Sequence, residues 1–201
     1  MKNLLKLKFK VMNQNELYPI FLKVNILDVL IIGGGDVALE KLRFLLKSSP
    51  NAKVVLVTKT VHQDIIELGK YHDVSIIIDS YSSSYLNDQH LVIVATDNKK
   101  TNQIIYQNSK DRHLLVNVAD NPKLCDFYLG GIVTKGDVKI AVSTNGRSPT
   151  LAKRLRQYFE KTIPNEINNL ASSLNIYRND MNGDFKQKVK ELNDLTELLI
   201  K

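Results

Sequence analysis

Six consecutive residues, Gly33-Gly34-Gly35-Asp36-Val37-Ala38, satisfy the pattern G-x-G-x-x-A. The chemistry this spacing supports is the holding of a pyrophosphate. Gly33 makes a tight turn, Gly35 lets a phosphate approach the backbone, and the small Ala38 lets a helix pack closely on a strand. Free N–H groups at the helix start then meet the anion. The pattern carries this meaning only between a strand and a helix, and its flanks meet that condition. Asp28–Ile32 (DVLII) reads as a strand, and Ala38, Leu42, Leu45 and Leu46 share one helical face. A dinucleotide site is therefore expected here. An NAD site commonly adds an acidic residue about 20 residues further on, at the end of the second strand. That strand ends Val57-Thr58-Lys59-Thr60, with no carboxylate. Thr58 or Thr60 could bond a ribose hydroxyl, and Lys59 could welcome a 2′-phosphate, so this reading leaves NAD and NADP both open. The same missing acid weakens an S-adenosylmethionine reading.

A second candidate lies where later strands end. Open α/β sheets bind ligands at the carboxyl ends of their strands. One run ends Ala95-Thr96-Asp97-Asn98 and the next ends Asn117-Val118-Ala119-Asp120-Asn121-Pro122, both facing the crevice beside the glycine loop. Thr96, Asp97, Asn117 and Asp120 are thereby site candidates. Asp120 reads either as a catalytic carboxylate or as a turn residue before Asn-Pro. Asp97 reads equally as a cap for a helix starting near Thr101. A third candidate is Ser143-Thr144-Asn145-Gly146-Arg147-Ser148-Pro149-Thr150, followed by Lys153, Arg154 and Arg156. Hydroxyls and an arginine before a capped helix start suit a polyanion, and a solvated basic face is the competing reading. His62, His72, His90 and His113 share no spacing, so no metal site is expected.

The elements that must position these groups follow from the apolar pattern. Val54–Thr58, Val74–Ile78, Leu91–Ala95 and Leu114–Val118 join Asp28–Ile32 as short runs rich in Val and Ile that barely alternate. Strands buried on both faces of a parallel sheet have this composition. Helical stretches separate them, one being 102–110 with its Ile104-Ile105 pair. The alternation predicts a doubly wound α/β sheet. Tyr18–Val24 (YPIFLKV) reads as a further strand, placed at an edge by Pro19. Gly131–Thr134 and Val138–Ser143 flank Lys135-Gly136-Asp137 as a hairpin. From Ser148, an N-cap before Pro149, the chain reads as helical. Pro164 opens a second helix, and Asn182-Gly183 breaks it before a last one running to Leu199. The expected regions are 1–128 for the nucleotide domain, 129–163 for the hairpin-plus-helix module, and 164–201 for a helical tail.

The chain has 201 residues, 43% hydrophobic and 24% charged, which excludes a disordered tail protein and a membrane bundle. No apolar run approaches the ~20 residues of a membrane span, and the opening MKNLLKLKFKVMNQ is not read as a signal peptide. The single Cys125 cannot form an internal disulfide, so a reducing, cytoplasmic setting is expected. The net charge of +7 is concentrated in Lys2, Lys6, Lys8 and Lys10, which read as a solvated surface, and in the stretch from Arg147 to Lys161.

Taken in order, IIGGGDVALEK, VATDN, NVADNPKLCDF and VKIAVSTNGRSPTLAKRLR resemble the precorrin-2 dehydrogenases, the N-terminal half of siroheme synthase and its stand-alone relatives. The resemblance runs from about Leu17 to about Ile163. It implies a Rossmann domain, a small dimerisation module and a helical part, in a homodimer with swapped contacts. It implies NAD-dependent oxidation of precorrin-2 to sirohydrochlorin, and in some members insertion of ferrous iron to give siroheme. Members with the methyltransferase half are much longer, and 201 residues are expected to leave no room for it. The aspartate of the N-V-x-D-x-P motif maps onto Asp120 as the catalytic residue, a general base in the oxidation. Asp36, Val37, Lys59 and Thr60 map onto NAD contacts. Ser143, Thr144, Arg147, Ser148, Lys153 and Arg154 fall by the tetrapyrrole cleft. The chain departs from the pattern at Asn145, where relatives carry glycine, and at Gly130, where many carry proline. The first bears on iron insertion more than on oxidation.

Two other functions compete with this enzyme. A non-enzymatic NAD sensor would need neither Asp120 nor the Arg147–Arg156 cations. A nucleic-acid binder using the basic termini would lose affinity steeply with salt. The resemblance favours the enzyme, with a tetrapyrrole as its partner and neither nucleic acid nor membrane.

Overall fold

The computed structural model describes residues 15–197. At its centre is β1 (Asp28–Ile32), whose last four residues are all buried. Val29 and Ile31 point to one face and Leu30 and Ile32 to the other, and each face is covered by its own apolar cluster. This double coverage is why the run shows no polar alternation. Parallel partners flank it on both sides. β2 (Lys53–Thr58) and β4 (Leu91–Val94) pair with β1, β3 (Val74–Ile78) with β2, and β5 (Leu115–Val118) with β4. The order β3-β2-β1-β4-β5 reverses direction between β1 and β4, which makes their carboxyl ends the topological switch point.

Helices close both faces. α1 (Asp36–Ser48) buries Ala38, Leu39, Leu42, Leu45 and Leu46 on the side of Val29 and Ile31, and α2 (Gln63–Gly69) adds Ile65 there. α3 (Lys99–Lys110) covers the other side through Ile105. His62 caps α2, its Nδ1 accepting from the Asp64 N–H at 3.1 Å. α3 begins at Lys99 and its cap is Asn98, which accepts from the Thr101 N–H at 3.0 Å, so Asp97 is not the cap.

The expected leading strand does not form. Tyr18–Val24 makes no ladder among the described residues, Tyr18 and Phe21 are exposed, and Val24 alone is buried. The sheet edges are β3 and β5, and neither takes this segment as a partner. Its composition suits a strand, but a strand needs a neighbour to receive its N–H and C=O groups.

Beyond the sheet, β6 (Gly131–Lys135) and β7 (Val138–Val142) form the hairpin, with Gly136 at φ +60° in the turn. α4 (Pro149–Thr162) starts on Ser148, whose hydroxyl accepts from the Leu151 N–H at 3.2 Å. α5 (Ile167–Asp180) begins three residues after Pro164, and α6 (Phe185–Thr196) begins on an Asp184–Gln187 capping box. The run expected to Leu199 passes beyond the described residues, as do Lys2, Lys6, Lys8 and Lys10. Contacts divide the chain into two units. One holds the described residues up to Leu129 together with Thr144–Arg147, and the other holds Gly130–Ser143 and the residues from Ser148 onward. Among the described residues no helix is long and apolar enough to cross a membrane.

A dinucleotide cleft at the strand ends

The carboxyl ends of the sheet open into a cleft of about 690 Å³. The glycine loop forms its floor, and each glycine answers a different constraint. Gly33 has φ +123°, and a Cβ there would stand 2.3 Å from the Ala95 carbonyl oxygen at the end of β4. A Cβ on Gly34 would meet the Thr60 carbonyl at 2.3 Å and the Thr58 hydroxyl at 2.5 Å. These two glycines let the loop lie against the strand ends. Gly35 has ordinary φ, and nothing lies within 4 Å of the place its Cβ would take. That open space adjoins the start of α1, where no side chain caps the helix. The first-turn N–H groups of Asp36, Val37 and Ala38 have no intrahelical acceptor. A phosphate fits these donors and the macrodipole behind them. The Asp36 carboxylate is almost wholly exposed, 3.6 Å from His62 Nε2, so the backbone of Asp36 suits an anion and its side chain does not.

Of the residues expected in the site, Gly33, Gly35, Asp36, Val37, Lys59, Thr60, Thr96, Asp97 and Asp120 all line this cleft. Their roles differ. The Thr58 hydroxyl, also in the lining, donates to the Thr60 carbonyl at 2.6 Å and shapes the end of β2. The Thr96 hydroxyl donates to Asn102 Oδ1, and Asn102 Nδ2 returns a bond to the Thr96 carbonyl at 2.9 Å. Thr96 thus ties the end of β4 to α3. Asp120 is exposed in the cleft at φ +59°, a left-handed conformation that non-glycine residues seldom adopt. Strained backbone of this kind concentrates at functional sites.

Asn117 is a correction. It is buried and absent from the cleft lining; its Nδ2 donates to the Phe127 carbonyl at 2.8 Å. Its side chain is used in holding the 125–127 segment against β5. Cys125 works beside it, its thiol within 3.3 Å of the Val118 and Asn121 carbonyls that bracket the Asp120 turn. Burial pushes this thiol up from its ordinary pKa, so it stays protonated as a donor. Of the expected polyanion residues, Thr144 and Arg147 fall in the first unit and Ser143, Ser148, Lys153 and Arg154 in the second. The Arg147 N–H donates to the Thr144 carbonyl at 3.0 Å.

Asp79, Tyr81, Asn98 and Thr101 also line the cleft, beyond the ligand contacts expected from the sequence. Asp79 directly follows β3, so the strand-end rule applied to every strand would have found it. Among the described residues no group of His, Cys, Asp or Glu is arranged to hold a metal ion.

Comparison with known proteins agrees with this geometry. A family model described as putative NAD(P)-binding matches residues 20–131, and one described as sirohaem biosynthesis protein central matches 135–162. The chain belongs to the putative NAD(P)-binding family, whose model spans more than half of it. Its cofactor is accordingly a nicotinamide dinucleotide. Among its relatives is the siroheme synthase of Pseudoalteromonas translucida, 37% identical over 173 residues, which cover 86% of this chain and 34% of that protein. The siroheme synthase of Photobacterium profundum is 35% identical over 160 residues, covering 80% and 34%. The chain thus spans about a third of the length of these relatives. Among solved structures, SirC, precorrin-2 dehydrogenase, is similar at a TM-score of 0.69 and 22% identity, with 89% of each chain covered. That likeness shows that the family member described here has the same fold.

Proposed function

We propose that this protein oxidises precorrin-2 to sirohydrochlorin with NAD as the acceptor. The observation that carries the reading is the placement of Asp120 and the glycine loop in one cleft, on a chain whose residues 135–162 match the sirohaem biosynthesis model. Relatives called siroheme synthase and a structural neighbour called precorrin-2 dehydrogenase support the choice of substrate.

The oxidation removes a hydride and a proton from the macrocycle. A bound nicotinamide supplies the hydride acceptor. Asp120 takes the proton as general base, its carboxylate held in the cleft by the left-handed turn. Gly33, Gly35 and the first-turn N–H groups of Asp36 and Val37 hold the pyrophosphate. Lys59 and Thr60, in the cleft lining at the end of β2, are assigned to the ribose, and Thr96 and Asp97, in the lining after β4, to the rest of the cofactor. The substrate is rich in carboxylates, so Arg147, Lys153 and Arg154 are assigned to its capture, with Ser143, Thr144 and Ser148 as hydroxyl partners. The working form is a homodimer in the cytoplasm. Ferrous iron is a candidate second substrate, with Asp120 accepting the pyrrole protons as iron enters.

The test is anaerobic mixing of the protein with precorrin-2 and NAD, following NADH optically. Wild type is expected to turn over, and Asp120→Asn to lose about 100-fold or more. Undiminished turnover in Asp120→Asn would remove that residue from the chemistry. No turnover in wild type with NAD still bound would favour a sensor. Ferrous iron added to the product then tests insertion.

A further inference from the structure

One carboxylate in the cleft has no part in the glycine-loop reading. Asp79 follows β3 and lines the same space as Lys59 and Thr60. Its backbone N–H donates to the Thr58 carbonyl at 2.8 Å, which places it beside the end of β2, about 4.8 Å away across one strand spacing. The side chain is braced at both oxygens. Tyr85 Oη donates to Oδ2 at 2.6 Å, and the Ser80 N–H donates to Oδ1 at 2.6 Å. A carboxylate oxygen has two lone pairs, so each keeps an acceptor position for a ligand. The Tyr85 bond first, and then the Ser80 bond, hold this carboxyl below its ordinary pKa, so it is ionised at neutral pH. Tyr81, two residues on, lines the same wall, and its hydroxyl accepts from Asn108 Nδ2 at 3.0 Å.

In dinucleotide sheets the adenosine ribose is met by an acid at the end of β2. That position here is Thr58-Lys59-Thr60. We propose that Asp79, reaching in from the neighbouring strand, replaces the missing acid: it accepts from the adenosine ribose hydroxyl and rejects a 2′-phosphate, and so sets the preference for NAD over NADP. The inference rests on the NAD reading above. Lys59 opposes it, since an ammonium in the same cleft attracts a 2′-phosphate. Both side chains are exposed, but Asp79 prevails because its carboxylate is fixed by two donors, whereas Lys59 carries its charge on a flexible stem. A 2′-phosphate at the braced carboxylate would lose a hydrogen bond and meet a like charge, which is how sites reject the wrong partner.

Titration calorimetry of the full chain with NAD+ and with NADP+ tests this without any turnover. Wild type is expected to bind NAD+ at least about ten-fold tighter. Asp79→Asn is expected to narrow that ratio about ten-fold, chiefly by tighter NADP+ binding, and Lys59→Ala to widen it. Tyr85→Phe keeps the carboxylate but removes one brace, and is expected to narrow the ratio by about two- to three-fold. It also serves if the melting curve shows Asp79→Asn to be unfolded. Equal changes in both affinities, or no change in either, would overturn the role of Asp79 and leave the NAD reading standing. A wild type that prefers NADP+, or binds neither dinucleotide, would overturn both.

Discussion

In the first unit the central strands are covered on both faces, and Leu30, Ile31, Leu56, Ile93 and Val94 are all but inaccessible. In the second, α4, α5 and α6 bury no residue fully, and Val133 of the hairpin is the one buried apolar side chain among the described residues. Burying a Val, Leu or Ile is worth roughly 1.5–3 kcal/mol. The first unit therefore has a strong reason to hold one arrangement, and the second has a much weaker one. The cofactor cleft lies where backbone positions are set by that core, as a site of narrow tolerance requires. The second unit instead shows Leu151, Leu155 and Tyr158 on one face of α4, exposed by 52%, 36% and 60%. An apolar stripe of this kind beside exposed Lys153 and Arg154 suits association, which is where the proposed homodimer would form.

Substitutions can break this contrast. The largest effect is expected in the first unit, at Gly33. A side chain there meets the Ala95 carbonyl and the positive φ together, so Gly33→Val is expected to cost about 3 kcal/mol or more and to abolish dinucleotide binding. Urea melts and calorimetry would read both; a variant that melts and binds like wild type would mean the loop is not locked by the strand ends. Asp120→Gly separates chemistry from strain. Glycine accepts φ +59°, so stability should change by under about 1 kcal/mol while turnover falls with the loss of the base. A large stability loss would instead make Asp120 a structural residue.

Leu155→Glu combined with Tyr158→Glu sharpens the contrast from the other side. These exposed sites should leave NAD affinity alone and halve the mass seen by light scattering. An unchanged mass would move the dimer interface off α4. Ser148→Ala removes the α4 cap and is expected to cost about 1 kcal/mol. The smallest effect is electrostatic. The Asp79 carboxyl has its pKa lowered in the folded state, so its contribution is complete above the unfolded value of about 3.9 and is lost as pH falls through the lower folded one. The stability difference between wild type and Tyr85→Phe should therefore shrink on acidification below that range. A difference that is constant with pH would show that the Tyr85 bond does not depend on the charge.

Much of this architecture was legible in the chain because burial on two faces leaves a plain record. DVLII and VSIII are strands with the expected bounds, and Lys135-Gly136-Asp137 turns the hairpin as its glycine suggested. YPIFLKV misled because its composition records strand preference without recording whether a partner strand exists. Asn117 misled in a related way. It stands next to the crevice in sequence, but in a strand successive side chains take opposite faces, and its own turns to Phe127.

The glycine loop, the order of strands and helices, the capped start of α4 and the presence of Asp120 just after a strand all follow from local sequence, since each depends on neighbours a few residues away. Three outcomes came instead from the assembled sheet: Asp79 stands beside the end of β2, Asn117 holds the 125–127 segment while Cys125 holds the Asp120 turn, and Tyr18–Val24 makes no ladder among the described residues. Those outcomes depend on which strands become neighbours across the sheet, and strand order brings together residues that local spacing leaves far apart.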